Sequence, residues 1–318
     1  MPSMQYLFGP VPSRRLGMSL GVDLVPKKIC TLNCVYCECG KTPDNGLVVQ
    51  RKEYVPTGEL LQEIDTVLKS TPQLDYITLT GSGEPTLNNK LPNVIHHLRT
   101  HYPKYKIALL TNGTLLYLPE VQREILDIDV LVPSLDAVRE DVFAKINKPN
   151  HELKNTQIIE GLISFSQQFK GKIWLELFIV PGMNDHLEEL TLIKEKILQI
   201  NPEVVHINAV DRPPAFAEIT KPTEEKLKEI KEFLKPLKAE IVVRFHHKSP
   251  IKSNSYHIDA VDQKILAILK RRPSTLVDLT HSLQLDERVI IKHLELLLNE
   301  NLILAEIHDQ IEFFLIKE

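Results

Sequence analysis

The sequence predicts an α/β fold, an open or partial (β/α) barrel followed by a small C-terminal winged helix-turn-helix domain. Three observations carry this. Between residues 57 and 245, short apolar runs of strand length alternate with amphipathic helical stretches, the pattern of a parallel sheet with helical crossovers. Glycine and polar residues fall directly after the strands, where barrels of this kind carry their sites. Beyond residue 257 the alternation stops, and three helical stretches precede a hairpin.

Composition fits this class. The chain has 318 residues, 43% hydrophobic and 25% charged, enough for a large core or two domains. No apolar run reaches the ~18 residues expected of a membrane span. A net charge of −4 does not advertise a polyanion binder. There is no internal repeat and no low-complexity tract.

The chain opens with Phe8-Gly9-Pro10-Val11-Pro12-Ser13-Arg14-Arg15-Leu16-Gly17. Proline and glycine punctuate it, so the chain is expected to turn before a first strand at 19–25. Arg14 and Arg15 form either a clamp for an anionic group or a solvated pair on a loop. Residues 57–70 are helical, with Leu60, Leu61, Ile64, Val67 and Leu68 at helix spacing and Thr57 as N-cap after Pro56. Strand 76–80, helix 91–101, strand 106–111, helix 119–126 and strand 130–133 follow. Helices 139–146 and 154–169 lead to strand 172–180, helix 186–200, strand 204–210, helix 223–237 and strand 240–245. That makes seven strands, with the barrel at 1–248.

Residues 249–257 lack apolar periodicity and read as a linker to a domain at 258–318. Its helices are 259–271, 275–283 and 286–300, and its hairpin strands 303–307 and 311–316. From Tyr256 to Glu318 there are 7 Lys and Arg against 11 Asp and Glu. Nucleic-acid affinity rests on neutralising phosphates, so protein or peptide recognition, or self-association, is expected ahead of RNA or DNA.

All four cysteines lie in one stretch, KICTLNCVYCECG from Lys28 to Gly40. Cys30, Cys34 and Cys37 are spaced C-x3-C-x2-C, with Tyr36 before the third. Closely spaced thiolates hold iron–sulfur clusters. Three ligands on a four-iron cluster leave one iron open, as catalytic metal sites do. Cys39 is either a cramped fourth ligand or a free thiol beside the cluster. A structural zinc site is the other metal reading, although no second cysteine pair exists. Four cysteines within ten positions cannot staple a chain of this length. No charged-then-apolar leader opens the sequence, so the expectation is metal ligation in a reducing cytosol.

The segments after the strands supply further candidates. Gly81-Ser82-Gly83-Glu84-Pro85 is either a turn or a loop whose glycines let a ligand approach while Glu84 accepts from an ammonium group. Asn112, in Thr111-Asn112-Gly113, marks a turn or a cofactor-facing loop. Ser134 and Asp136 face the same way at a strand end and can hydrogen-bond a ribose diol; Asp136 can alternatively cap the next helix. Glu176 is a lone acid in the apolar run Trp174 to Val180, costly to bury unless paired or functional. The Pro181-Gly182-Met183-Asn184-Asp185 segment can pass along an adenine. Asn208 and Arg212 can close over a substrate. His246 and His247 are a weak metal signal.

Taken together, Cys30-x3-Cys34-x-Tyr36-Cys37 and Gly81-Ser82-Gly83-Glu84-Pro85 resemble the radical S-adenosylmethionine (radical SAM) enzymes, over roughly residues 5–250. The resemblance implies a partial barrel of the radical SAM type and a [4Fe-4S] cluster on Cys30, Cys34 and Cys37. S-adenosyl-L-methionine (SAM) would chelate the open iron and be cleaved to methionine and a 5′-deoxyadenosyl radical. Gly81 to Glu84 would match the motif that binds the SAM amino group, with Ser82 in place of the usual glycine. Ser134 and Asp136 would match the position contacting ribose or carboxylate. The family also implies a flavodoxin- or ferredoxin-like reductant. The opening, residues 8–17, is similar to the wybutosine-synthase-like radical SAM proteins, which act on tRNA. Those enzymes use further cysteines for a second cluster, and this chain has none outside positions 30 to 39. A protein or peptide substrate therefore stands beside RNA. The competing class is an iron–sulfur or SAM-sensing winged-helix regulator.

Overall fold

The computed structural model of the chain describes residues 4–13, 15–70, 72–243, 260–283, 285–309 and 311–317. Arg14, the segment from Arg244 to Lys248 with His246 and His247, and the 249–257 linker lie outside the described residues.

An eight-stranded sheet runs in sequence order from β1 (Leu7–Ser13) to β2 (Gly17–Asp23), β3 (Tyr76–Thr80), β4 (Lys106–Thr111), β5 (Val130–Pro133), β6 (Lys172–Phe178), β7 (Val204–Asn208) and β8 (Ala239–Ile241). All neighbours pair in parallel except β1 with β2. The first strand was not expected, because its glycine and two prolines read as turn residues. It is an edge strand with a register irregularity between Phe8 and Val11. Proline is tolerated there because one backbone side needs no ladder partner.

The crossovers are α1 (Thr57–Leu68), α2 (Leu91–His101), α3 (Pro119–Glu124), α4 (Glu140–Ile146), α5 (Asn155–Gln168), α6 (Leu187–Ile200) and α7 (Glu224–Phe233). The expected elements are present with ends shifted by a few residues. One local reading changes: Thr57 is the first helical residue, not the cap. The Glu53 carboxylate accepts both its backbone N–H at 2.8 Å and its hydroxyl at 2.7 Å.

Strand alternation sorts the interior into two layers. Leu20, Val22, Ile77, Leu79, Leu109, Leu131, Leu175 and Ile207 form one core with helix residues such as Leu60, Ile64, Val94 and Ile193. On the opposite face Ala108, Val130 and Val132 pack with Leu16, Tyr76, Leu110 and Trp174. Leu16 comes from the β1–β2 turn, so that turn folds into the barrel interior.

The C-terminal part contains α8 (Ala260–Leu269), α9 (Leu276–Leu283), α10 (Glu287–Asn299) and an antiparallel pair, β9 (Ile303–His308) with β10 (Ile311–Ile316). It has its own core around Ile265, Leu279, Ile290, Leu294 and Phe314. It also touches the barrel: α9 packs on β1. Arg271 donates to Asp23 at 2.8 Å and to the Leu7 carbonyl at 3.1 Å. No helix among the described residues is long and apolar enough to cross a membrane.

Candidate active site

The cysteine loop leaves β2 and is held to the barrel by backbone hydrogen bonds. The Lys28 N–H donates to the Ser82 carbonyl at 2.7 Å, and the Glu84 N–H to the Ile29 carbonyl at 2.9 Å. Gly83 makes this approach possible, because a Cβ there would overlap the Ile29 carbonyl oxygen. The Val35 N–H donates to Ile146 at 2.9 Å, and the Asn150 N–H to Thr31 at 2.9 Å, anchoring the loop to the end of α4 and beyond. The Gly81–Glu84 motif therefore buttresses the cysteine loop from below.

Each of the three spaced cysteines receives one side-chain N–H. Lys28 Nζ lies 3.2 Å from Cys37 Sγ, Asn147 Nδ2 3.4 Å from Cys34 Sγ, and Asn112 Nδ2 3.6 Å from Cys30 Sγ. Lys28 is buried and adopts the left-handed backbone region at φ 64°, which disfavours side-chain-bearing residues. Among the described residues its ammonium has no carboxylate partner. A buried ammonium demands an anion, and the Cys37 sulfur beside it, as thiolate, supplies one. All four cysteines are unpaired as disulfides.

The thiols differ in acidity. A hydrogen bond from Cys39 and the Lys28 charge bring Cys37 down to about 6 against the effect of burial. Cys39 is correspondingly raised, first by its bond to Cys37 and then by burial. Burial and the neighbouring Glu84 push Cys30 to about 12, and burial raises Cys34. Cys39 thus sits as a proton-bearing neighbour of Cys37.

The donor set can be tested against the cluster. Among the described residues no three His, Cys, Asp or Glu side chains converge on one point. A zinc site needs four ligands within about 2.3 Å of a single ion. A four-iron cluster instead binds each thiolate at a different iron, and potentials depend on hydrogen bonds to the sulfurs. Three N–H donors, one per cysteine and one of them the buried Lys28 ammonium, fit such an anionic group.

Around this loop the polar candidates fall into separate networks. Glu84 is buried and internally satisfied: it accepts from Thr86 N at 3.0 Å, Thr86 Oγ1 at 2.6 Å, Thr111 Oγ1 at 2.7 Å and Asn112 N at 2.8 Å. Burial raises its carboxyl all the same. Asn112 bonds Thr31 at 2.8 Å as well as approaching Cys30. Tyr36 stacks on Phe178 with centroids 3.8 Å apart and donates to Asp136. Asp136 also accepts from Asn147 at 2.8 Å and from Phe178 N at 3.0 Å, and burial brings its carboxyl up to about 6. It does not cap the next helix, whose N-cap is Arg139. Ser134 is half-buried at the end of β5, bridged to Glu176 on β6. Asn184 is fully buried and pins the Pro181–Asp185 turn through Asp136 O at 2.8 Å and Phe178 O at 2.7 Å.

Glu176 pairs with Arg15 and accepts from Asn208 at 2.5 Å. It is neither an exposed acid nor a lone one. Arg212 is buried and bridges two regions: Nη1 donates to Glu38 at 2.8 Å and Nη2 to Asp278 on α9 at 3.3 Å. Sequence reasoning missed Lys28, Asn147, Phe178 and Glu38. Only Lys28 and Glu38 carried a signal, their place in the cysteine stretch.

The family model of the Radical SAM superfamily matches residues 24–192. The chain belongs to the radical SAM superfamily. A UPF0026 protein of Helicobacter pylori is 34% identical over 314 residues, 98% of each chain. A protein named GTPase Obg from Brachyspira hyodysenteriae is 33% identical over 304 residues, 95% of this chain but 44% of that protein. The chain thus spans less than half of that relative, and it carries no G-x4-G-K-[ST] phosphate loop. A radical SAM methyltransferase from Sphaerobacter thermophilus superposes with a TM-score of 0.53 at 16% identity, covering 70% of this chain and 66% of that one. Streptococcus suis SuiB bound to its precursor peptide SuiA superposes at 0.52 with 14% identity, covering 70% and 48%. The two superpositions show a shared barrel architecture.

Proposed function

We propose that this radical SAM protein is an enzyme that binds a [4Fe-4S] cluster through Cys30, Cys34 and Cys37 and cleaves SAM reductively to act on a substrate. The observation that carries the reading is the set of three thiols on one buttressed loop, each with its own N–H donor. When bound, the cluster supplies the electron for SAM cleavage. The chain's own residues hold and shield. Gly83 lets the motif loop close on the cysteine loop. Glu84 fixes Asn112 and the end of β4, leaving loop backbone to receive the SAM amino group. Ser134 stands where a ribose hydroxyl can bond. Tyr36, clamped by Phe178 and Asp136, forms a rigid face beside the cysteines. Glu176, Asn208 and Arg212 face the substrate side.

Free thiols favour a reducing cytoplasm, where a flavodoxin- or ferredoxin-like protein would be the donor. The C-terminal part, α8 to β10, acts as a winged-helix domain against the barrel. The acidic balance of that domain weighs against RNA, and the peptide-bound SuiB offers a precedent for a peptide substrate. The regulator reading is not favoured, since the third helix of that domain, α10, sets Glu287 and Glu295 beside Arg288 and Lys292 and so offers no excess positive charge to phosphates. Iron and sulfide analysis of anaerobically reconstituted protein tests the proposal. About four irons per chain are expected, with an electron paramagnetic resonance signal that changes on adding SAM. A loaded cluster whose signal ignores SAM would refute it.

A further inference from the structure

The inner face of the barrel is not filled. A cavity of about 170 Å³ remains between β2, β3 and α9. A space of this size admits one polar group and its carbon frame. Its lining includes Thr80 at the end of β3, Arg15 from the hairpin turn and Arg212 after β7. The C-terminal part contributes Arg272, Asp278 and His281. Among the described residues, the guanidinium groups of Arg15, Arg212 and Arg272 and the carboxylate of Asp278 border this small space.

A guanidinium has five N–H groups. Among the described residues Arg15 spends one on Glu176, and it is largely buried, with 13% of its side chain exposed. Arg212 spends Nη1 and Nη2 on Glu38 and Asp278, while its buried Nε has no partner. The Glu176 and Glu38 carboxylates approach these arginines without lining the cavity. Among the described residues, Arg15 and Arg212 thus keep N–H groups without an acceptor. Guanidinium forks match carboxylates and phosphates best, and pockets owe orientation to a few such groups.

We infer that this cavity receives an oxyanion group, carboxylate or phosphate, of the substrate, with α9 forming one wall of the reaction chamber. Its role as a substrate site rests on the radical SAM reading; the binding itself does not. The C-terminal part then serves substrate selection from within the fold, through Arg272 and His281.

The test uses the full chain, titrated calorimetrically with inorganic phosphate and, separately, acetate. Arg272→Gln, Arg15→Gln and the remote surface change Lys231→Gln are compared, with circular dichroism as a check of folding. One saturable site is expected in the parent and in Lys231→Gln, weakened about tenfold or more in the other two. Binding of phosphate alone assigns a phosphate-bearing substrate; binding of acetate alone assigns a carboxylate. No saturable binding of either, or binding indifferent to Arg272→Gln, overturns the inference. If Arg15→Gln does not fold, Arg272→Gln decides. 5′-Deoxyadenosine formation on the same preparation separates the two claims: its persistence without oxyanion binding would remove only the substrate class.

Discussion

Arg15, in the turn between β1 and β2, forms an ion pair with Glu176, the single acid of β6. The pair spans the barrel interior, tying the antiparallel edge to the sixth strand. Asn208 on β7 completes it. Removing one partner of a largely buried pair leaves the other charge without compensation. Glu176→Leu is therefore expected to lower unfolding stability by about 3 kcal/mol, and Arg15→Leu/Glu176→Leu to recover much of the loss. Urea denaturation of the two variants measures this; a double variant no better than the single would show that the pair is not coupled.

Lys28 offers a test of the cluster environment. Replacing its ammonium by methionine removes a positive charge 3.2 Å from Cys37 Sγ. A more negative cluster is harder to reduce. The Lys28→Met protein is expected to show a lower midpoint potential in an anaerobic redox titration followed by electron paramagnetic resonance. An unchanged potential would place the ammonium elsewhere in the loaded protein.

Gly83→Ala should act on the cysteine loop without touching a cysteine. The added methyl meets the Ile29 carbonyl, so the backbone pairing of Glu84 with Ile29 must open. Iron retention after reconstitution and desalting is expected to fall severalfold while far-ultraviolet circular dichroism stays native. Full retention would mean that the loop tolerates displacement.

His206, on β7, gives a pH signature. Its ring meets Trp174 edge-on at 5.9 Å, and its Nδ1 is buried without a partner. Burial, with Arg15 adding to it, lowers its pKa from 6.5 to about 4. The unfolded chain takes up a proton near 6.5, whereas the folded chain resists until about 4. Its contribution to stability is therefore intact above 6.5 and declines as pH falls towards 4. His206→Phe should flatten that part of the stability profile in urea titrations at pH 7, 5.5 and 4.5. Parallel profiles for the two proteins would dismiss the histidine.

Much of the architecture was legible in local pattern. Strands such as Tyr76–Thr80 and Ile311–Ile316 are short apolar runs bounded by turn residues, and the structure keeps those bounds. The first strand was illegible because Gly9, Pro10 and Pro12 are turn formers unless an edge position excuses them. The cysteines and the Gly81–Glu84 loop were legible because their spacing is local. Glu176 was singled out as an acid that needs a partner, but its partner lies 161 residues away in a turn. Asn147 carried no signal at all. Its role exists only because α4 ends beside Cys34. Long-range polar pairings of this kind have no period to read.

The central claim is tested most directly by product analysis under strict anaerobiosis. The reconstituted protein is mixed with SAM and dithionite, and 5′-deoxyadenosine is quantified by liquid chromatography with mass detection. The account expects 5′-deoxyadenosine and methionine from the parent protein and none above background from Cys34→Ala. A parent protein carrying its full iron, bound to SAM and yet forming no 5′-deoxyadenosine, with or without added cell extract, would contradict it.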